Sequence, residues 1–427
     1  VISLGITHDV VSNTERSVLL TTSCVMPNEI TLTGDLEISV ASSRRRFLRK
    51  NLKSAQVLIQ AAANSRHFSV PAGTKLTING LTLSDGNPGD AGGSILASGG
   101  SVVANGVTFK NNKATTGGAI EAEKDQANNE PSVSISSSIF DANEGTNKGG
   151  AINAKAGTFI VDGSTFSNNK SPNGDGGALA AVTDVTITGS TFTSNSAPNG
   201  DGGAVAIEGK KLTMLSTTLT QNSANSGGAV GLKGGEADLK TITVESNTAT
   251  VDGGAILVDQ SNVNISSSNI KENNGANGGG IKTKNMGGKK FEAQSNTFNG
   301  NKGSTGGGAF HFEDEANTDI TIFESTFLNN KGAADENDDM KSAGNSHIVV
   351  KVVDLLSDII RKGMPQPDCS GVKCDHRAKS AGKARADGSC KCACDGVNEY
   401  EKDRNRSEEH TSELQSRQYL VCRLLLE

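Results

Sequence analysis

Tryptophan is absent from this 427-residue chain, tyrosine occurs only twice, and aromatic residues make up 4%. Hydrophobic residues reach 34%, below the usual share for a soluble globular domain. A large aromatic core is therefore excluded, and with no apolar run of 18 residues so is a transmembrane helix. Proline is scarce, with 8 residues, whereas glycine is abundant, with 51. Lysine and arginine (41) nearly balance aspartate and glutamate (47), so the formal net charge of −6 gives no basic footprint for nucleic acid. So little apolar material over such a length leaves either disorder or a thin core drawn out along a repetitive fold.

Internal repetition decides for the second. An apolar anchor followed three places later by asparagine occurs nine times: Phe109/Asn112, Phe140/Asn143, Phe166/Asn169, Phe192/Asn195, Leu219/Asn222, Val244/Asn247, Ile270/Asn273, Phe298/Asn301 and Phe327/Asn330. Successive anchors lie 25 to 31 residues apart. Five and seven places before each anchor every residue is apolar, from Val102/Ala104 and Val133/Ile135 to Phe291/Ala293 and Ile320/Ile322, with polar residues such as Thr186 and Asn264 between. That period of two belongs to a half-buried strand. Each unit also carries a glycine pair, then a small residue and an aliphatic, as in Gly117-Gly118-Ala119-Ile120 and Gly202-Gly203-Ala204-Val205. Glycine reaches positive φ and lets another backbone come close, as a corner leading into a strand requires. A phosphate-cradling loop does not fit, because no Gly-Lys-Ser/Thr follows and no helical pattern opens after the glycines.

One unit thus supplies three short strands in about 26 residues, none able to bury its apolar face alone. Stacking equivalent strands in parallel pairs their backbones and closes a narrow core. The spacing predicts an all-β chain, a right-handed parallel β-helix solenoid of about nine to ten turns. Nine turns carry the anchors, and a weaker tenth lies at Leu76, Ile78 and Leu83. At one strand spacing per turn it spans on the order of 45 Å. Phenylalanines then stack inside. The asparagines Asn112, Asn143, Asn169, Asn195, Asn222, Asn247, Asn273, Asn301 and Asn330 are expected to form a structural ladder of amides, each finding its partner on the next turn.

The alternating Gly-Gly-Ala-Ile and Phe-x-x-Asn motifs resemble the repeat of the chlamydial polymorphic outer membrane protein family, and more broadly secreted right-handed β-helix proteins of the pectin-lyase-like type. The resemblance covers roughly residues 70 to 331. It implies an extracellular or cell-surface location and, for the first family, similarity to autotransported surface adhesins.

Residues 1–70 are expected to form the N-terminal cap and first strands (Ile30–Leu32, Val57–Ile59), 71–331 the repeats, and 332–364 a closing strand from His347 and a short amphipathic helix at Asp354–Lys362. The basic run at 42–53 reads as a solvated loop, with a processing site or an anionic-surface contact as alternatives. Residues 365–405 form a cysteine-rich module. Cys369, Cys374, Cys390, Cys392 and Cys394, with Cys24, are disulfide candidates in an oxidising compartment. Zinc, with His376 nearby, is the rival reading, without zinc-ribbon spacing. The chain starts at Val1, so it is expected to be a fragment. The segment RSEEHTSELQS at Arg406–Ser416 resembles a translated sequencing adapter, and residues 406–427 are set aside from fold reasoning.

Function is less legible. Longer units gain residues at one shared corner, Glu123–Pro131, Lys284–Lys290 and Glu313–Asp319, so these loops are expected on one face, where surface glycans or protein receptors could bind. Asp175, Asp201 and Asp252 each precede a glycine pair and could hold calcium, although aspartate before glycine is ordinary corner chemistry. No other cofactor is expected. Asn317-Thr318-Asp319, Asp338-Asp339 and His347 echo the order of pectin hydrolase residues, but the flanking glycines are missing, and no catalytic residue is assigned. Two sequons, Asn169-Lys170-Ser171 and Asn264-Ile265-Ser266, are compatible with secretion. The reading is a rigid adhesive, structural or glycan-binding surface module, non-catalytic. A polysaccharide lyase or hydrolase is the alternative.

Overall fold

The computed structural model describes residues 7–9, 15–20, 23–26, 28–40, 57–313, 319–333, 340–343, 347–351, 378–384 and 390–394. Among them every regular element is a β-strand, and there is no helix to cross a membrane. The helix expected at Asp354–Lys362, the basic run 42–53, Cys369, Cys374 and residues 406–427 lie outside the described residues.

Three long sheets run the length of the solenoid. An alternating sheet of 14 strands includes Lys75–Asn79, Val185–Thr188 and, last, His347–Lys351. A glycine-led sheet of 12 strands runs from Ile30–Thr31 to Met340–Ala343. An anchor sheet, also of 12, runs from Cys24–Val25 to Thr326–Leu328. Each strand pairs in parallel with its equivalent one turn away, so Val133 lies beside Phe159 and Phe166 beside Phe192. The exception is Thr7–Asp9, antiparallel to Glu15–Leu20 at the first edge of the alternating sheet. Strands before residue 71 join the same three sheets. Far downstream, Ala378–Ala384 and Cys390–Cys394 form a separate antiparallel hairpin.

The core is a set of columns. Phe109, Phe140, Phe166 and Phe192 stack with ring centroids 4.6 Å apart at each step and planes within 11°. Rings at that separation are in direct contact, and each burial contributes about 1.5–3 kcal/mol. The column continues in Leu219, Val244 and Ile270, then Phe298 and Phe327. Thin as it is, this core leaves both inward positions of the alternating strands essentially unexposed.

Two side-chain ladders hold the corners. Asn169 donates its Nδ2 to Asn195 Oδ1 (2.9 Å) and to the Phe140 carbonyl (3.0 Å), while its own Oδ1 accepts the backbone N–H and the amide of Asn143. The pattern begins one turn earlier, where Asn112 donates to Asn143 at 3.0 Å. It continues without a break. Asn195 donates to Asn222 and Asn222 to Asn247, both at 2.9 Å. Asn247 donates to Asn273 at 3.0 Å, Asn273 to Asn301 at 2.9 Å, and Asn301 to Asn330 at 2.8 Å. All nine asparagines expected in the ladder are therefore in it, buried, and each finds its partners without water. Where the anchors change from phenylalanine to aliphatic the ladder does not change, because the second bond of each amide goes to a backbone carbonyl: Asn247 to Leu219, Asn273 to Val244 and Asn301 to Ile270, each at 2.9 Å.

The residue before most ladder asparagines adopts positive φ, for example Asn168 at 57° and Ser194 at 56°, which turns the backbone sharply. A second ladder, two residues ahead of the anchors, was not evident in the repeat. Ser138, Ser164 and Ser190 each accept a backbone N–H from the preceding turn. The glycine pairs meet a stricter demand. Gly176 has φ 68°, and a Cβ on Gly177 would sit 2.1 Å from the Gly203 carbonyl oxygen.

A fourth side also went unseen in the sequence. Short strands such as Ser196–Asp201 and Ser223–Ser226 form a five-stranded sheet between the ladder asparagine and the glycine pair, with Lys113–Thr116 and Glu144–Lys148 as a separate pair. These segments vary in length and carry alanine or glycine inward, so no alternation marks them.

Candidate functional site

From Ile120–Glu123 to Phe310–Glu313 each glycine-led strand sends its first and third residues into the core. Its second residue belongs to a different column, and that column is buried too. In register along the solenoid it reads Glu121, Asn153, Ala180, Ala206, Gly231, Leu257, Lys282 and His311. The cover comes from the short fourth side, which folds against the glycine-led strands. A Cβ on Gly231 would lie 3.0 Å from Asp201 Cβ. The two sides thus make an angular crook along the solenoid.

Large side chains fill the crook at both ends. Glu121 is fully buried, with Lys155 Nζ at 2.7 Å and Asn153 Nδ2 at 2.9 Å from Oε1. Burial pushes its carboxyl above the usual range, while Lys155 and Asn153 pull the other way. At the far end the Lys282 side chain, only 2% exposed, reaches Glu313 at 2.8 Å. A buried charge needs such a partner. The signal for these groups is present in the repeat, since each is a charged residue directly after the aliphatic of Gly-Gly-x-aliphatic, but only the fourth side makes that position interior.

In the middle the column shrinks to alanine and glycine, and an open dent of ≈ 310 Å³ results. Ala206 and Gly231 lie at its floor, Asp175 and Asp201 on the fourth-side wall one and two turns after Lys148, and Glu208 and Lys233, at the ends of glycine-led strands, on the other. The acidic wall arises from a duplicated stretch. Pro172-Asn173-Gly174-Asp175-Gly176-Gly177 recurs as Pro198-Asn199-Gly200-Asp201-Gly202-Gly203 on the next turn. Stacking then aligns the two. The Asp201 N–H donates to Asp175 Oδ1 at 2.9 Å, and Asn199 Nδ2 to the Pro172 carbonyl at 2.8 Å. Burial, then the Asp175 charge, pushes the Asp201 carboxyl up to about 6, with Lys284 and Lys233 opposing. From the same wall, Lys148 reaches across and over two turns to Glu208 at 3.3 Å.

Of the three aspartates singled out by sequence, Asp175 and Asp201 are therefore brought together and Asp252 is not. Ser226 occupies the intervening turn, and Asp252 accepts from Asn277 at 3.0 Å and pairs with Lys284 at 3.3 Å. Calcium takes six to eight oxygens. Two wall carboxylates do not supply them, and among the described residues no group of three or more His, Cys, Asp or Glu could hold a metal ion. The Asp201 carboxyl can take up a proton near pH 6, and the pair can attract a cationic group.

The loops leave from the corner named in the sequence. Glu123–Pro131 follows Ile120–Glu123 and is closed on itself by Asp125, which accepts the N–H groups of Ala127 (3.0 Å) and Asn129 (2.7 Å). Lys284–Lys290 follows Ile281–Lys284 and tucks Met286 out of solvent. Glu313–Asp319 starts at the equivalent place, and its residues 314–318 lie outside the described residues. Of the pectin hydrolase echo, Asp319 and His347 are register partners on adjacent strands, while Asn317, Thr318, Asp338 and Asp339 lie outside the described residues. Cys24 is half-buried, carries no disulfide to another described residue, and has its thiol pushed up by burial. Cys390, Cys392 and Cys394 lie on the downstream hairpin.

Comparison with known families bears on the same turns. Residues 173–348 match the right-handed β-helix region family, and residues 106–123 and 163–182 match the Chlamydia polymorphic membrane protein repeat. No curated protein matches the chain. The stacked turns and these matches together describe a right-handed β-helix in which two stretches are similar to the Chlamydia polymorphic membrane protein repeat.

Proposed function

We propose that the chain is an extracellular or cell-surface rod, an adhesive, structural or glycan-binding module without catalytic activity, which presents loops from one edge of its glycine-led sheet. The observation that carries this reading is the common origin of the Glu123–Pro131 and Lys284–Lys290 loops at the end of glycine-led strands. In-register stacking aligns them along one edge, about six strand spacings apart. A scaffold whose turns contact only their neighbours tolerates insertions at such a corner and turns them into an extended contact surface. The repeat matches support a surface setting, since the repeat belongs to a family of membrane proteins. Surface glycans or protein receptors are the proposed partners.

The test replaces Glu123–Pro131 with the short corner found at Val182–Asp184 and measures binding of the protein to cells and glycan arrays. Loss of binding with the rest of the rod intact is the expected result, and full binding would refute the reading. The acidic pair at Asp175 and Asp201 favours a second reading, a polysaccharide lyase or hydrolase. Unsaturated products from pectate with calcium, lost in Asp201→Asn, would establish it.

A further inference from the structure

The two sequons occupy opposite environments, although both asparagines belong to the same regular fold. Asn169 is fully buried, and both of its amide atoms are committed to the ladder. Its sequon hydroxyl, on Ser171, is equally buried and has no hydrogen-bond partner. A sugar on Asn169 Nδ2 would remove the bonds to Asn195 and Phe140 and would have no space between turns. Asn264 sits in the middle of Asn262–Ser266 on the alternating sheet, between the inward Val263 and Ile265. Its side chain is exposed and makes no hydrogen bond to another described residue, and Ser266 is half-exposed beside it. Its register neighbours are the half-exposed Asp238, which pairs with Lys211 at 2.6 Å, and the exposed Glu292.

We propose that Asn264 is a site of N-glycosylation and that, of the two sequons among the described residues, it alone is an acceptor. The proposal rests on the extracellular reading above, because it requires passage through a compartment holding a polyprenyl-diphosphate-linked oligosaccharide. In the transfer, Asn264 Nδ2 bonds to the anomeric carbon of the oligosaccharide. The bond from that carbon to the diphosphate oxygen breaks, the amide gives up one proton, and polyprenyl diphosphate leaves. No oxidation or reduction is involved. A glycan here stands on the outer face of the alternating sheet. It keeps that face from packing against a second surface, while the loop edge and the crook stay open.

The experiment uses the full chain behind a secretion leader in a eukaryotic host that glycosylates asparagine, with the secreted protein analysed by gel mobility and glycopeptide mass spectrometry. The supplied leader separates the acceptor question from the natural location, so failure here leaves the surface reading standing. The expected result is a glycan on the Asn264 peptide and none on the Asn169 peptide, with the Asn264 glycan lost in Asn264→Gln and equally in Ser266→Ala, and unchanged in Ser171→Ala. An unmodified Asn264 in secreted protein, or a glycan on Asn169, would overturn the proposal. Ser266→Ala leaves the asparagine itself in place, so loss of the glycan in both variants cannot be put down to a damaged strand.

Discussion

Asn195→Ala is the sharpest perturbation of the ladder. In the native chain Asn195 Oδ1 accepts the N–H and the amide of Asn169 at 3.0 and 2.9 Å, and its Nδ2 donates to Phe166 O at 3.0 Å and Asn222 Oδ1 at 2.9 Å. Alanine removes all four bonds. The Asn169 N–H and the Phe166 carbonyl are then buried without these partners, at about 1–3 kcal/mol each. The void adds to this because the Phe column on either side holds the turns at fixed spacing. A loss of about 3–5 kcal/mol follows, against a change within about 0.5 kcal/mol for Asn264→Ala on the exposed face. Urea denaturation followed by far-ultraviolet circular dichroism reads the difference. A solenoid can open locally, so amide hydrogen exchange should show the largest loss of protection in the turns containing Asn169, Asn195 and Asn222, with Asn273 and Asn301 further along the rod little affected. A loss below about 1 kcal/mol, or a loss of protection spread evenly along the rod, would refute the idea that the amides bind one turn to the next.

Phe166→Ala should cost about 3–5 kcal/mol in the same denaturation assay, and Phe166→Leu, which imitates Leu219 in the same column, less than about 1.5. Gly177→Ala should give no soluble folded protein, since its Cβ would meet the Gly203 carbonyl oxygen at 2.1 Å; normal expression and dichroism would contradict the close approach. His67 is fully buried, and desolvation lowers its pKa from 6.5 to about 4. Its Nε2 lies 3.1 Å from the Ile59 carbonyl and its Nδ1 3.0 Å from Ser94 Oγ, contacts that suit the neutral ring. Because the unfolded chain takes up that proton first, this group's contribution is complete above pH 6.5. It falls by about 3 kcal/mol between pH 6.5 and about 4. Denaturation midpoints across that window should slope more steeply for the native chain than for His67→Gln. In Asp175→Asn, a carboxyl-carbon titration should place Asp201 below its native value of about 6 and above 3.8, because burial, the larger cause, remains.

The parts of this fold that show in the sequence are those repeated at a constant offset. Phe109, Phe140, Phe166 and Phe192 recur with an asparagine three places on, and equal offsets in a stack become columns. The same offset carries the amide ladder on through Asn247, Asn273 and Asn301, although two of their anchors, Val244 and Ile270, are not aromatic. The fourth side does not show, because Ser196–Asp201 and Thr248–Ala249 do the same work with six and two residues, and any offset across them drifts. That drift also hid the crook. Glu121 and Lys282 read as ordinary outward residues of a strand until the short side is laid over them. For the same reason Asp175 and Asp201 could be paired from their identical local sequences, whereas the separation of Asp252 depends on Ser226, an intervening turn whose glycine pair follows a serine.

The most direct measurement is a crystal structure of the solenoid resolving the rings of Phe140, Phe166 and Phe192. The account predicts one column, with centroids 4.6 Å apart and planes within a few degrees of parallel. Rings found in separate clusters, or a register in which Phe166 faces anything other than Phe140 and Phe192, would contradict it.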